Sequence, residues 1–487
     1  MVLLSNVFEG YFMEKVAVIG LDGVSWEIMD SIISEGYFNV ISEILDKSLK
    51  ADLISTDPPC TPPAWTSIAS GVNPGKHGIY SFYNVEKLDR GFQSTLVTGR
   101  EACYPRIHEI LSLLKVKSLV ANLPATYYTP AYVKRYSVVV SDWLSPSIRV
   151  NNPLYNYLAE AFSKNIAAKE YKDPKKLGKK MGDRVHFIVR TLNKALSTLK
   201  PRLVFIVFSE IDWIMHKDKG FLKGTTIDYY KDIFENIDEF VKKLNRNNYR
   251  IVIVSDHGFK LYRRIFYPRT YLNKYMLRSG DIGYSWQARN SFTNKLAKFI
   301  RRHPTLRGLA KKLMAKMRGE KASLRLIPYD LVQILIPDLH YMYLAPGIDK
   351  HLVIDLLNKS GFVKAYDKYE VYNGYCVERG PDIVLRPKDD DLLISRGHYS
   401  EIYREDVEIA DHHPVGVFSI EGYHGRYTQI YTHDVLPIIL GFLNLPIPSD
   451  TDSDLSLVEK LDIKIEFVNI RSRWLIASRI SGIRFNS

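Results

Sequence analysis

Seven side chains with the chemistry of metal ligands and nucleophiles stand beside apolar runs in this sequence. Three are aspartates, three are histidines and one is a threonine: Asp22, Asp212, Asp256, His216, His257, His412 and Thr61. Carboxylates and imidazoles together suit borderline divalent cations, zinc above all. A hydroxyl group beside such cations can act as a nucleophile. The set therefore predicts a site for two divalent cations and one reactive threonine.

The apolar runs must be the elements that bring these side chains together. Asp22 follows VAVIGL, Asp212 and His216 follow LVFIVF, Asp256 and His257 follow IVIV, and His412 precedes GVFSI. Buried parallel strands read as continuous apolar runs, and ligand sites gather at their carboxyl ends. We therefore expect an α/β fold in which the ligands meet at one edge of a central sheet.

Thr61 lies in a stretch that begins as a proline-rich turn and continues as a short helix. Residues 55–80 read STDPPCTPPAWTSIASGVNPGKHGIY, with helix-compatible residues at 64–70 and Gly71 as the stop. A hydroxyl at a helix N-terminus faces the positive end of the dipole and free backbone N–H groups, which favours a phosphorylated intermediate. The alternative is that Thr61 only caps the helix.

Taken together, these motifs resemble the type I phosphodiesterase/nucleotide pyrophosphatase family of the alkaline phosphatase superfamily. The motifs are Asp22-Gly23, CTPPAWTSIASGVNPGKHGI around Thr61, Asp212-x-x-x-His216, Ser255-Asp256-His257-Gly258-Phe259 and His412-x-Pro414-x-Gly416. The resemblance implies a mostly parallel central sheet flanked by helices, with an inserted cap region. It also implies two metal ions and a covalent phospho-threonine.

The same resemblance divides the ligands between two metals. One metal would take Asp22, Thr61, Asp256 and His257. The other would take Asp212, His216 and His412. Zinc is the expected ion, with Mn²⁺ as the alternative.

Two departures from related patterns narrow the activity. Sulfatases of the superfamily carry a modified cysteine at the position of Thr61, but Cys60 is one place early and the arginine of that motif is absent, so a sulfatase-like hydrolase is disfavoured. Nucleotide pyrophosphatases have an asparagine three residues after the nucleophile, where this chain has Ala64. This weakens the case for nucleotide substrates.

The expected function is therefore a metal-dependent phosphoesterase, either a phosphodiesterase or a pyrophosphatase, acting through phospho-Thr61. A phosphotransferase or a phosphomutase could use the same two-metal site. An inactive scaffold is disfavoured because unused buried ligands would be costly. Because Ala64 offers no partner to a monoester dianion, we expect diesters to be preferred over monoesters.

Composition adds limits on the partners and the location. The 487 residues carry a net charge of +13, which implies attraction to anions, whether an anionic phosphate-ester substrate, an acidic lipid surface or nucleic acid, and charge alone does not choose among them. The sequence has no recognised nucleic-acid-binding module. No apolar run could span a bilayer, and residues 1–12 make a poor signal peptide. Three scattered cysteines are not a disulfide framework and favour a reducing, cytoplasmic location. The oligomeric state cannot be read from the sequence.

The pattern divides the chain into four segments. They are the first part of the core at 14–260, an inserted cap or substrate region at 261–405, the closing part of the core at 406–450 and a tail at 451–487. Within the cap, residues 295–321 form a basic amphipathic segment that either packs on the cap or contacts a membrane surface, the former being favoured. The loop at 141–143, Ser-Asp-Trp, is either a pocket loop or an ordinary surface loop.

Three histidines compete to be the last ligand. His412, His413 and His424 lie within thirteen residues, and His412 stands four before Gly416, as the ligand of the family does. Neighbouring side chains of an extended segment point to opposite sides, so His412 and His413 cannot both face one metal. We therefore expect His412 to be the ligand and His424 to lie in a loop or at a pocket rim.

Overall fold

The computed structural model describes residues 14–276, 325–328, 334–336, 340–395 and 400–481. The strands of this part are β1 (Lys15–Leu21), β2 (Ser48–Ile54), β3 (Tyr83–Leu88), β4 (Gly91–Leu96), β5 (Ser118–Ala121), β6 (Ser137–Val140), β7 (Leu203–Phe208), β8 (Tyr249–Val254), β9 (Gly258–Tyr262), β10 (Arg264–Phe266), β11 (Arg325–Pro328), β12 (Ile334–Leu335), β13 (Tyr341–Leu344), β14 (Val363–Asp367), β15 (Ile383–Pro387), β16 (Leu392–Ile394), β17 (Tyr403–Arg404), β18 (Ile409–His413), β19 (Val415–Glu421), β20 (Gly425–Tyr431), β21 (Ile447–Pro448) and β22 (Phe467–Val468).

The α-helices of the described residues alternate with these strands. They are α1 (Trp26–Ser34), α2 (Asn39–Asp46), α3 (Thr61–Ser70), α4 (Pro74–His77), α5 (Ile107–Leu113), α6 (Asn156–Ser163), α7 (Pro174–Leu199), α8 (Glu210–Met215), α9 (Lys219–Leu222), α10 (Lys231–Arg246), α11 (Pro268–Met276), α12 (Lys350–Lys359), α13 (Lys368–Val371), α14 (Val435–Phe442), α15 (Ser456–Lys460) and α16 (Ile470–Ile480). Short 3-10 turns connect several of them, including one at Ile166–Glu170.

An eight-stranded sheet forms the centre of the molecule. Its strand order is β20-β2-β19-β8-β1-β7-β5-β6, and every strand pair is parallel except those made by β19, which runs against both β2 and β8. The expected mostly parallel α/β sheet with flanking helices is therefore confirmed.

Both faces of this sheet are buried, which explains why its central strands read as unbroken apolar runs. In β7, Val204, Ile206 and Phe208 face one core, which includes the buried sides of α7 and α10. Leu203, Phe205 and Val207 face the other core, which includes α3, α5 and α14. Successive side chains of a strand point to opposite faces, so each strand serves both cores.

The direction of the strands defines what we call the ligand edge of the sheet. The carboxyl ends of β1, β2, β7 and β8 lie at this edge. Because β19 is antiparallel to its neighbours, its amino end reaches the same edge, and residues just before Val415 arrive there from the opposite chain direction.

The region between β9 and β18 builds smaller sheets beside the core. One has the order β12-β13-β15-β14, another pairs β11 with the hairpin of β3 and β4, and a third has the order β16-β10-β17. A separate apolar cluster, containing Phe266, Leu357 and Leu385 among others, supports this region. The four segment boundaries predicted from the sequence stay predictions.

The cysteines correct one expectation. Cys103 and Cys376 form a disulfide across 273 residues of sequence, with their Cα atoms 6.6 Å apart, while Cys60 is buried outside this pair. The pairing was missed because it depends on the inserted region folding back on the loop before α5. It removes the cysteine argument for a cytoplasmic location, which stays a prediction.

Two findings bear on membrane contact. None of the helices in the described residues is long and apolar enough to cross a bilayer. The basic segment at 295–321 lies outside the described residues, so its contact with a membrane surface also stays a prediction.

Candidate metal centre and nucleophile

The ligand edge brings all seven predicted side chains together. Asp22 follows β1, Asp256 and His257 follow β8, and His412 lies in β18 just before β19. Asp212 lies within α8, the helix that follows β7, and His216 caps its C-terminus. The six Asp and His side chains thus lie beside the ends of four different strands, as the apolar runs predicted.

One group of possible ligands contains Asp212, His216 and His412, whose ligand atoms lie within 4.8 Å of one another. The Nε2 atoms of the two histidines are 3.1 Å apart. Asp212 Oδ1 lies 3.5 Å from His216 Nε2 and 3.4 Å from His412 Nε2. These are the three residues assigned to the second metal from the sequence.

A second group contains Asp22, Asp212 and His257, again within 4.8 Å. His257 Nε2 lies 3.7 Å from Asp22 Oδ1 and 3.3 Å from Asp256 Oδ2. This group differs from the expected set in that Asp212 stands in it where Asp256 was expected, and the Asp212 carboxylate is within reach of both groups. The two groups are therefore one continuous cluster and share a carboxylate at its centre.

Hydrogen bonds orient the two histidines that connect the groups. His257 Nδ1 is 3.0 Å from the carbonyl oxygen of Gly258, and His412 Nδ1 is 3.3 Å from that of Pro59. A carbonyl can only accept, so each imidazole in its neutral form carries its proton on Nδ1 and presents the lone pair of Nε2 to the cluster. This tautomer is the one that a metal bound at Nε2 requires.

The buried carboxylates fit cations rather than hydrogen-bond donors. Both side-chain oxygens of Asp22, Oδ1 of Asp212 and Oδ2 of Asp256 are buried and accept no hydrogen bond. Leaving such groups unpaired is costly, and two divalent cations would supply the missing partners. The donor set and these carboxylates together fit the two metals that the resemblance implies.

The protonation equilibria reflect the same crowding of negative charge. Burial, followed by the charge of Asp212, raises the pKa of Asp22 to about 8. Burial and then the charge of Asp22 raise the pKa of Asp256 well above its usual range. Burial would lower the pKa of His412, but the close contact of its imidazole with the negatively charged Asp212 carboxylate outweighs burial and raises this pKa to about 9.

Thr61 is the first residue of α3 and is almost completely buried. Its Oγ1 lies 3.2 Å from His257 Nε2, which places the hydroxyl against the ligand cluster. The N-cap of the helix is Cys60, not Thr61, so the capping alternative does not describe this hydroxyl.

The helix N-terminus offers fewer donors than we expected. Pro62 and Pro63 have no N–H group, and the N–H of Ala64 donates to the carbonyl of Cys60. Of the first four residues of α3, only Thr61 therefore retains an N–H outside the helical hydrogen-bonding pattern. The expectation of several free N–H groups was wrong because two prolines remove them.

The three competing histidines separate clearly in space. His412 faces the ligand cluster, whereas His413 Nε2 lies 3.0 Å from Oδ1 of Asp390 in the inserted region. His424 lies in the exposed turn between β19 and β20, beyond the strand end opposite to His412. The alternation of an extended strand explains the separation of the first two.

A buried ion pair supports α8 from behind. Arg184 of α7 and Glu210 of α8 are buried, and Arg184 Nε lies 2.7 Å from Glu210 Oε1. Arg184 also donates to the carbonyl oxygens of Phe162 and Lys164. The pair connects the helix that carries Asp212 to the long helix α7.

A cavity of 470 Å³ opens beside Asp212, His216 and His412. We call five of its other lining residues the outer wall: Phe82, Leu96, Trp143, Leu144 and Glu170. Trp143 belongs to the loop at 141–143, which is thus a pocket loop. The other outer-wall residues were missed by the sequence reading, since they lie outside every recognised motif.

Comparison with known proteins is informative at the level of family and fold. The sequence model of the type I phosphodiesterase / nucleotide pyrophosphatase family matches residues 16–398. A comparison with curated proteins finds no match.

Several solved structures share the fold. Murine ectonucleotide pyrophosphatase / phosphodiesterase 5 is 13% identical, with a TM-score of 0.57 and coverage of 92% of this chain and 100% of that chain. Phosphonoacetate hydrolase from Sinorhizobium meliloti 1021, in complex with phosphonoformate, is 15% identical, with a TM-score of 0.55 and coverage of 89% and 95%. Human ectonucleotide pyrophosphatase / phosphodiesterase 5 is 12% identical, with a TM-score of 0.54 and coverage of 89% and 95%.

Proposed function

Because the chain belongs to the type I phosphodiesterase / nucleotide pyrophosphatase family, we propose that it cleaves phosphodiester or pyrophosphate bonds through a phosphorylated Thr61. The family resemblance carried by the motifs is confirmed. Members of this family are metal-dependent hydrolases of phosphoric esters, and the chain is an enzyme of this class. The nucleophile, the individual ligands and zinc as the metal belong to our proposal.

One observation carries the proposal, namely the contact of the Thr61 hydroxyl with a buried cluster of unpaired carboxylates and oriented imidazoles. Asp22, Asp256 and His257 would hold one cation with Thr61. Asp212, His216 and His412 would hold the other, with Asp212 in reach of both. Mixed nitrogen and carboxylate ligands favour zinc, with manganese as the alternative.

The reaction consists of two displacements at phosphorus. Thr61 Oγ1 forms a bond to phosphorus and gives up its proton to solvent water, while the bond from phosphorus to the leaving oxygen breaks and that oxygen leaves as an alkoxide or phosphate that takes a proton from solvent as its basicity requires. Water then attacks phospho-Thr61, the bond between phosphorus and Oγ breaks, and the hydroxyl is restored. Bound cations would lower the pKa of the Thr61 hydroxyl and offset the charge on the leaving oxygen. Two inversions give net retention at phosphorus.

The direct test is Thr61→Ala in zinc-loaded protein. We expect turnover of bis(4-nitrophenyl) phosphate to fall at least about a thousandfold, as for loss of other catalytic nucleophiles. Zinc content and the melting temperature should stay near those of the unsubstituted protein, because the change removes only one hydroxyl and one methyl group and leaves the Asp and His ligands in place. Thr66→Ala, in the same helix, is the matched control, since Thr66 Oγ1 donates only to the carbonyl of Pro62. Undiminished turnover in the Thr61 variant would contradict the proposal.

Diesters should be cleaved faster than monoesters. A monoester dianion has one more charged oxygen to stabilise, and around Thr61 the prolines and Ala64 provide no additional donor. We expect kcat/KM for bis(4-nitrophenyl) phosphate to exceed that for 4-nitrophenyl phosphate by about tenfold or more, the effect of one lost charge-assisted hydrogen bond. A higher kcat/KM for the monoester would refute this preference.

A further inference from the structure

The cavity beside the second ligand group has a lining that limits what a substrate can place there. Its volume of 470 Å³ is in the range of small-molecule sites. Apart from the ligands, its described lining is dominated by apolar side chains, with Leu96, Leu144 and Pro59 among them. No Asn, Gln, Ser or Thr side chain belongs to that described lining, whose uncharged polar groups are those of Tyr83, Cys60 and the two tryptophans.

Aromatic rings form a continuous surface on one side of this cavity. The ring centroids of Phe82 and Trp143 are 6.2 Å apart, and those of Trp143 and Trp213 are 5.5 Å apart in an edge-to-face arrangement. The guanidinium of Arg184 lies 5.4 Å from the ring centroid of Trp213. These contacts hold the rings in place, so that a bound group meets a formed apolar surface.

The charged side chains of the cavity also limit which substrate groups can bind there. Beyond the metal ligands, the described lining has one cation, Lys217, and two anions, Glu170 and Asp411. Lys217 Nζ lies 3.4 Å from Glu170 Oε2, so the cation is already paired. A second phosphate or a carboxylate on the substrate would enter a lining with excess negative charge and no available described cation.

We propose that this cavity takes an uncharged, apolar alcohol group of a phosphodiester, aryl or alkyl, and rejects groups that carry further negative charge. This inference rests on the proposed function and adds the class of substrate. A nucleoside polyphosphate would need cations for its additional phosphates, and the described cavity offers only Lys217, which Glu170 already contacts. An aryl or alkyl group needs only the apolar surface of Trp143 and its neighbours.

The test compares three inhibitors of the zinc-loaded protein that share one phosphonate monoanion. The first is monomethyl benzylphosphonate, which we call the uncharged compound because its benzyl group carries no charge. The other two are its 4-carboxy and 4-trimethylammonio derivatives, and all three are assayed against turnover of methyl 4-nitrophenyl phosphate. We expect the inhibition constant of the 4-carboxy compound to be about tenfold above that of the uncharged compound, from repulsion by Glu170 and Asp411. An equal or tighter 4-carboxy compound overturns the proposal, and so does a 4-trimethylammonio compound that binds best.

Two variants connect the selectivity to the cavity. Trp143→Ala should weaken the uncharged inhibitor about tenfold through lost apolar contact, whereas the surface variant Tyr369→Ala should not. Glu170→Lys, at an exposed position, should tighten the 4-carboxy compound about tenfold without disturbing the fold. Unchanged inhibition constants in the Trp143 and Glu170 variants overturn the proposal.

The two proposals can fail separately. Absence of turnover by the unchanged zinc-loaded protein would count against the proposed function. Calorimetric titration of that protein with the same three phosphonates would still rank them, and a ranking led by either charged compound would overturn the cavity assignment.

Discussion

At the ligand edge, each side chain lies beside the end of a strand in the central sheet, whereas the outer wall of the cavity comes from loops, a 3-10 turn and the end of the hairpin strand β4. The strands are buried on both faces, so their ends are fixed by two cores at once. Trp143, Leu96 and Glu170 lie on connections that the sheet does not constrain in this way. The chemistry is thus set by the sheet, and selection of the substrate by its connections.

The largest expected effect comes from the two histidines that face these different regions. His412→Ala should lose one of two bound zinc ions and nearly all turnover, because its Nε2 lies in the ligand group. His413→Ala should retain both ions, because its Nε2 contacts Asp390 of the inserted region. Metal analysis of the purified variants decides between them. Loss of zinc in the His413 variant alone would mean that the side of β18 that carries His413, and not the side that carries His412, faces the metal site.

A smaller effect should follow from breaking the support behind the ligand edge. Arg184→Met leaves Glu210 as an unpaired buried charge, and we expect the free energy of unfolding to fall by about 3–5 kcal/mol. Since Glu210 begins the helix of Asp212, the second zinc ion should also bind more weakly. Denaturant unfolding and zinc titration measure the two quantities.

The control for this change is a variant in the link between the inserted region and the core, away from α7 and α8. Cys103→Ser removes the disulfide that connects the inserted region to the core, and should leave zinc binding unchanged. The double variant Arg184→Met/Glu210→Leu should recover much of the lost stability, because neither charge is then unpaired. If the disulfide variant loses zinc as readily as Arg184→Met, the two regions are not independent.

The smallest effect concerns the pH dependence of the metal-free protein. The folded pKa values of Asp22, about 8, and His412, about 9, exceed their ordinary values, so the folded state binds more protons than the unfolded state between pH 7 and 8. Stability must therefore fall as the pH rises through this window. His257, whose pKa is lowered by burial and then by His412, opposes this trend mainly near and below its ordinary value.

We expect the melting temperature after zinc removal to be lower at pH 8 than at pH 7, by roughly a few degrees. Zinc-loaded protein should show a smaller difference, because its ligands are held deprotonated at both values. Differential scanning calorimetry with and without zinc measures the contrast. A metal-free protein that is more stable at pH 8 would show that the carboxylates are not crowded as described.

The sequence predicted the ligand edge well because its information is local. Asp22, Asp256 and His257 each follow an unbroken apolar run, and such a run fixes both a buried strand and the position of its end. The choice of His412 over His413 also rested on local geometry. The shared position of Asp212 could not be predicted, because it depends on distances between strands that no motif records.

The lining of the cavity and the disulfide were missed for the converse reason. Phe82 and Glu170 approach the ligands through the paths of connections, and nothing in their own neighbourhoods marks them. The bond between Cys103 and Cys376 depends on contact across 273 residues. The two prolines after Thr61 are different, since their missing N–H groups could have been counted from the sequence alone.

The place of β19 in the central sheet affects how the protein is made. This strand, Val415–Glu421, inserts between β2 and β8, which both come much earlier in the chain. During synthesis, β2 therefore cannot pair with β19 until most of the chain has left the ribosome. Pairing between strands so far apart in sequence is also slow. The final metal ligand, His412, arrives with the same strand. A nascent chain can thus hold the full set of ligands only after its sheet has closed.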